Sequence, residues 1–223
     1  MTRLGIVTGL AAEARCLARV ARHSATPIHI RTARGDPAAA AEFLVEQGVA
    51  SLMSFGIAGG LDPALLPGGV IVATTVIDSR GERIDCHAAW RDDLIAALGS
   101  LSPMAAHLAG SDRAIVTVAD KALLHARHGA AAVDMESHAV ARVAARAGLP
   151  FAALRAIADP ADRALPRAAL AGFGDHGEVL VAPVLWGLLR HPAQLPALLG
   201  VARDSRKAMA ALRRCAGLLF GGG

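Results

Sequence analysis

Leu4-Gly5-Ile6-Val7-Thr8-Gly9-Leu10-Ala11-Ala12-Glu13 is a short apolar run that breaks at a glycine and passes into an alanine-rich stretch. The run suits a strand buried on both faces, and the alanines that follow predict a helix from about Ala11 to Ala21. The same pattern recurs along the chain. Thr26 to Arg31 predicts a second strand, with a helix from about Pro37 to Gln47 behind it. Ala50 to Phe55 predicts a third strand, which enters Gly56-Ile57-Ala58-Gly59-Gly60. After the turn-rich segment Asp62 to Gly69 the chain resumes as a strand from Val70 to Ile77. Further strands are predicted at Ala114 to Val118, Ala131 to Met135 and Phe151 to Ile157, with helices near Lys121 to Arg127 and Ser137 to Ala147. Strands alternating with helices build βαβ units, so the predicted fold is α/β: a three-layer sandwich around a mixed, largely parallel central sheet. From about Arg167 the signal is helical, broken at Pro183, Pro192 and Pro196, and it ends in an amphipathic stretch from Leu198 to Leu219. With no internal repeat and no linker, a single domain is expected over residues 1–223, with a helical C-terminal segment over 167–220.

Composition excludes several classes. The 223 residues are 54% hydrophobic and 19% charged, with a mean hydropathy of +0.43, too apolar for a disordered chain. The longest apolar run, Val179 to Leu189, is shorter than the roughly 20 residues that cross a bilayer, and Met1-Thr2-Arg3-Leu4-Gly5 has no signal-peptide character. A cytoplasmic protein is expected. The charge balance is 23 basic to 19 acidic residues, but Lys121 and Lys207 are the only lysines and there is no tyrosine for a base-stacking platform, so no nucleic-acid partner is expected. Cys16, Cys86 and Cys215 have no CxxC spacing, and they read as reduced structural thiols. His125 and His128 share a helix face without a third ligand nearby, so neither a metal nor an organic cofactor is expected.

In an open parallel sheet, ligands sit at the carboxyl ends of the strands. The segments there are Gly9 to Glu13, the Thr32 to Pro37 turn with Arg34 and Asp36, Gly56 to Gly60, Val133 to Ser137, and Ala158 to Asp162. The third is spaced GxxGG rather than GxGxxG and leads back into a strand, which argues against a dinucleotide loop. Its glycines suit either a close backbone approach to a ribose or anion, or a plain tight connection. Strand alternation sends Asp134 and Glu136 to one face, where a carboxylate can accept two adjacent hydroxyls; helix capping is the other use of the same pair. Asp159 ends an apolar strand, a setting that raises a carboxyl pKa and suits a general acid, although Asp159-Pro160 also suits a simple turn.

Glu13 after Gly5-Ile6-Val7-Thr8-Gly9, then Gly56-Ile57-Ala58-Gly59-Gly60, Val133-Asp134-Met135-Glu136 and Arg155-Ala156-Ile157-Ala158-Asp159 occur in an order that resembles the purine/uridine phosphorylase superfamily. Within it the motifs look most like the methylthioadenosine/S-adenosylhomocysteine nucleosidases, in register from about residue 4 to 162. Gly60-Leu61-Asp62-Pro63, the 159–166 stretch and the Arg/Pro/Leu-rich C-terminal segment also resemble hopanoid-associated nucleoside phosphorylases, which are linked to removing adenine from adenosylhopane, a lipid nucleoside.

The resemblance implies roles for these residues. Asp159 matches the aspartate that protonates or hydrogen-bonds purine N7, and Glu13 the glutamate that activates water in the hydrolytic branch. Glu136 matches the glutamate that binds the ribose hydroxyls, beside Asp134, and Met135 the methionine packed beneath the sugar. Ala58, Gly59 and Gly60 fall on the glycine segment that approaches nucleophile and ribose through its backbone. The chain also departs from the pattern. Ile57 and Ala58 carry no hydroxyl, Ala158 replaces a serine, and Ala119, Asp120 and Lys121 stand where an aromatic residue would stack on the purine. Arg34 occupies an apolar position on the 5′ side of the sugar.

Inorganic phosphate is the alternative nucleophile, and Arg34, Arg80 and Arg155 are candidate cations for it. Glu13 would repel a phosphate dianion, which favours water. The expected activity is therefore cleavage of the N-glycosidic bond of an adenine nucleoside, with adenosylhopane as substrate. The rivals are methylthioadenosine/S-adenosylhomocysteine cleavage and a non-catalytic nucleoside- or lipid-binding protein. A homodimer or larger homo-oligomer is implied by the superfamily. The apolar segment around Trp186 suits core and dimer packing, or else peripheral contact with the inner membrane.

Overall fold

The computed structural model describes residues 3–166 and 195–221. Strand β1 (Leu4–Thr8) is buried at all of its positions, as its unbroken apolar run requires. It pairs in parallel with β2 (Ile28–Thr32) on one side and with β3 (Ser51–Gly60) on the other. Beyond β3 the sheet holds β4 (Val70–Ile77), β5 (Arg83–Asp85), β6 (Met104–Gly110), β7 (Ala132–Asp134) and β8 (Phe151–Asp159). β3 pairs in parallel with β8, and β8 in turn runs antiparallel to β4. β4 pairs in parallel with β6, and β6 with β7. A short antiparallel pairing of Gly59 and Gly60 with Val133 and Ala132 returns β7 to β3. The sheet is thus mixed and largely parallel, and five of its strands close into a ring around which β2 and β5 form the free edges.

Helices cover both faces. α1 (Ala11–Ala18), α3 (Ala88–Ala97) and α6 (Leu195–Phe220) pack Leu17, Leu94, Ala208, Leu212 and Cys215 against Phe55, Val72 and Leu154. On the other face α2 (Pro37–Glu46) and α5 (Ser137–Ala147) press Ala41, Leu44, Val140 and Ala144 onto Val7, Leu52 and Ala153. The last of the helices, α4 (Val118–His128), follows β6 and is capped by Thr117, whose Oγ1 accepts from the Asp120 N–H at 3.0 Å.

Four expectations are corrected. Residues 114–117 form no strand; Thr117 is the N-cap of α4, so Val118 and the residues after it are helical. The strand of that region is β6, whose alanines and His107 hide it from a search for β-branched runs. Gly56 to Gly60 is not a loop, because β3 continues through it, paired with β8 and then with β7. The first helix ends at Ala18 and is followed by a 3₁₀ turn at Ala21–His23. α3 and β5 have no counterpart in the sequence reading. Pro183, Pro192 and the apolar segment around Trp186 lie outside the described residues. Pro196 falls in the first turn of α6, where its missing N–H breaks no helical hydrogen bond.

Candidate active site

Glu13, Asp134 and Glu136, singled out in the sequence, gather around a buried arginine of β8, and Asp159 ends the same strand. Arg155 on β8 is 1% exposed. Its Nη2 donates to Ser54 Oγ at 2.6 Å and Ser137 Oγ at 2.9 Å, its Nε donates to Asp134, and Glu136 Oε2 lies 3.5 Å from Nη2. Nη1 is buried with no hydrogen-bond partner among the described residues. Burial works against the arginine's charge, but Asp134, Glu136 and Glu13 hold it and raise its pKa.

Glu13 reaches this cluster from α1. Its Oε2 accepts the Leu10 N–H at 2.8 Å and its Oε1 the Ile57 N–H at 2.8 Å, so the carboxylate ties the end of β1 to β3. Burial raises its pKa, while Arg155 and the backbone donors pull it down without cancelling the rise. The backbone must come very close for this. A Cβ at Gly56 would lie 2.6 Å from Glu13 Oε1 and 2.9 Å from Arg155 Nη1, and one at Gly9 only 2.5 Å from Glu136 Oε1. At Gly56 a side chain would collide with a carboxylate fixed by two backbone donors, and at Gly9 it would push the Glu136 carboxyl aside.

Asp134 and Glu136 do both flank Arg155, but their settings differ. Asp134 accepts from the Ser137 N–H at 3.0 Å and from Ser137 Oγ and Arg155 Nε, and its side chain is almost fully enclosed. Glu136, at the N-cap of α5, keeps a fifth of its side chain exposed. Burial pushes its pKa up to about 8; Arg155 opposes the rise, and Asp134 and Glu13 add to it. Met135 between them is exposed.

At the end of β8, Asp159 lies against Gly59, where a Cβ would sit 3.3 and 3.4 Å from its two carboxylate oxygens. Its Oδ2 is bound by Lys121 Nζ, a partner that the sequence reading did not assign to it. Lys121 is fully buried and also donates to the carbonyls of Pro160 at 2.8 Å and Arg163 at 2.9 Å. Burial raises the Asp159 pKa, against the lowering effect of Lys121. A signal existed: helical spacing puts Lys121 on the same face of α4 as Leu124, His125 and His128, the face that turns inward.

Arg34 is exposed in the turn after β2, with a left-handed backbone (φ 48°). Arg80 is 76% exposed and pairs with Asp78 in the β4–β5 turn. Of the three candidate phosphate cations, Arg155 alone stands among the acidic residues. Ala58 is buried in β3, and Gly59 and Gly60 pair with β7 beside Asp159. Two clefts lie away from these groups. One, of about 400 Å³, is lined by Arg113 to Val116 and the outer face of α4, and the other, of about 420 Å³, by Arg3, Trp90 and Leu218 among others. Neither contains an acidic residue of the cluster, and the buried charges, not the hollows, mark the site.

The phosphorylase superfamily matches residues 21–189, more than half of the chain. The chain belongs to this superfamily. Membership makes it an enzyme of the phosphorylase superfamily. Among curated proteins none matches the sequence. Among solved structures, futalosine hydrolase of Helicobacter pylori is similar at 14% identity and TM-score 0.75, covering 98% of this chain and 97% of that one. A putative 5′-methylthioadenosine/S-adenosylhomocysteine nucleosidase from Francisella philomiragia is similar at 16% identity and TM-score 0.73, over 98% and 97% of the two chains. The nucleosidase of that name from Campylobacter jejuni is similar at 15% identity and TM-score 0.68, over 96% of this chain and all of that one. At these identities the likeness establishes the shared fold.

Proposed function

We propose that this superfamily member cleaves the N-glycosidic bond of an adenine nucleoside with water as the nucleophile, and that adenosylhopane is its substrate. The observation that carries the choice of water is the charge around Arg155: Glu13, Asp134 and Glu136 share one guanidinium whose Nη1 has no protein partner among the described residues. A phosphate dianion would meet the carboxylates of Glu13 and Asp134, whereas a neutral water can accept from Nη1 and donate to Glu13. Glu13, raised by burial, then takes the proton as the water oxygen attacks the anomeric carbon. Asp134, enclosed behind Arg155, orients the guanidinium. Glu136 hydrogen-bonds the ribose hydroxyls above Met135, and the carboxylates of Glu13 and Asp134 stabilise the positive charge that develops on the sugar. Asp159, at the other end of the site, donates to purine N7, so the base leaves neutral rather than as an anion. No metal and no organic cofactor enters these steps.

The lipid-linked substrate rests on the resemblance of the 60–63 and 159–166 stretches and of the C-terminal segment to the hopanoid-associated enzymes. On this reading the protein works in the cytoplasm at the inner-membrane surface, as a homodimer or larger homo-oligomer. The second reading, methylthioadenosine/S-adenosylhomocysteine cleavage, draws on the nucleosidase structures that share the fold.

Adenine release from adenosylhopane, methylthioadenosine, S-adenosylhomocysteine and adenosine, each with and without phosphate, tests these readings. Phosphate-independent release from adenosylhopane, lost in Asp159→Asn, is the expected result. A requirement for phosphate would overturn the assignment of Glu13 as water's base. Release from methylthioadenosine or S-adenosylhomocysteine alone would favour the second reading. Binding of all four without release would leave a binding protein.

A further inference from the structure

α4 lies on the surface, and the one residue it buries completely is a lysine. A buried ammonium is costly unless every proton on it has an acceptor. Lys121 has three N–H protons and three acceptors: Asp159 Oδ2, the Pro160 carbonyl and the Arg163 carbonyl. All belong to one short segment, the end of β8 and the turn after it. Three donors thus meet three acceptors. No hydrogen bond reaches Asp159 Oδ1 from the described residues, and the Asp159 side chain keeps 11% of its surface exposed. Lys121 thus occupies one oxygen and leaves the other.

We propose that Lys121 is the positioning residue for Asp159: it fixes Oδ2, leaves Oδ1 for the purine, and sets the pH range in which Asp159 carries a proton. The inference rests on the reading of Asp159 as the acid at the base. An ammonium in contact with a carboxylate favours its charged form, typically by about 1–3 pH units. The other charged groups that act on Asp159 are Arg163, in the turn after β8, and Asp204 on α6, which pairs with Arg163 and lies near Arg203 and Lys207. Arg163 therefore serves the arrangement twice, its carbonyl accepting from Lys121 and its guanidinium held by Asp204. Through it α6 is tied to the segment that carries the acid.

Carboxyl ¹³C titration of protein labelled at aspartate tests the proposal without requiring turnover, with the Asp159 signal assigned by its loss in Asp159→Asn. In Lys121→Met and Lys121→Gln the midpoint of Asp159 should move up by about 1–3 units, a 10- to 1000-fold gain in proton affinity. Lys121→Arg, which keeps the charge, should leave it in place. With whichever nucleoside releases adenine, the alkaline limb of kcat/KM should move in the same direction, since the protonated acid then persists to higher pH. An unmoved midpoint in either neutral variant, or a moved one in Lys121→Arg, would reduce Lys121 to a staple of the turn and overturn the proposal. Wild-type turnover in Asp159→Asn would instead sink the functional reading beneath it, leaving the titration result standing.

Discussion

The site has two charged centres built on opposite principles. Around Arg155 three carboxyl groups compete for one guanidinium, with two serine hydroxyls filling in and, among the described residues, one nitrogen left over. Around Lys121 one carboxylate and two carbonyls match three protons, and nothing is left over. The first centre crowds carboxyl groups around one cation and keeps an unused donor, an arrangement that on the proposed reading serves an incoming nucleophile and a developing cation. The second is closed and neutral, suited to holding one oxygen still. On the proposed reading, sugar chemistry and base chemistry are separated along β8, which contributes Arg155 to one centre and Asp159 to the other.

The largest test of that division is at the acid. Asp159→Asn should lower kcat by about 10²–10⁴-fold while KM for the nucleoside changes little, measured by steady-state adenine release. Next comes the crowded centre. Arg155→Met leaves three acidic groups without their cation and should cost about 3–5 kcal/mol of unfolding free energy, read by urea denaturation at pH 7. Acidification should recover part of this loss as the carboxylates protonate. Gly56→Ala places a methyl 2.6 Å from Glu13 Oε1 and should cost about 1–3 kcal/mol together with activity, whereas the same change at Gly99, which has open space, should be harmless to activity.

The smallest effect sharpens the comparison through pH. Glu136 is pushed up to about 8 in the folded protein from an ordinary value of 4.5. Between those values the folded state keeps a proton that the unfolded chain has lost, so this group stabilises at low pH and the benefit disappears as pH rises through about 8. The melting temperature should therefore fall from pH 5 to pH 9, and Glu136→Gln should flatten that slope. An unchanged slope would mean that Glu136 does not keep this proton in the folded state.

The sequence was most readable where a strand is covered on both faces. β1, β4 and β8 are apolar runs, and α2 and α5 begin and end close to the bounds read from the alanine-rich stretches, Pro37 to Gln47 and Ser137 to Ala147. β6 was hidden because alanine suits a helix and a crowded sheet alike, so only its partners β4 and β7 decide. The glycines at 56–60 pointed to a close approach, but a paired strand meets that need as well as a loop does. At the site, the acidic residues were legible because carboxylates at strand ends are conspicuous. Their cations were less so. Arg155 could be named but not ranked against Arg34 and Arg80, and Lys121 lies 38 positions from the aspartate it holds, a separation that no local pattern spans.

The closed ring of strands has a kinetic consequence. β8 inserts between β3 and β4, and its pairing with β3 joins segments that lie about a hundred residues apart in the chain. The pairing of β1 with β2 spans only about two dozen residues, whereas Arg155 and Asp159 arrive with a closure of about a hundred. Refolding should accordingly show secondary structure well ahead of turnover, and the return of catalysis would time the insertion of a single strand.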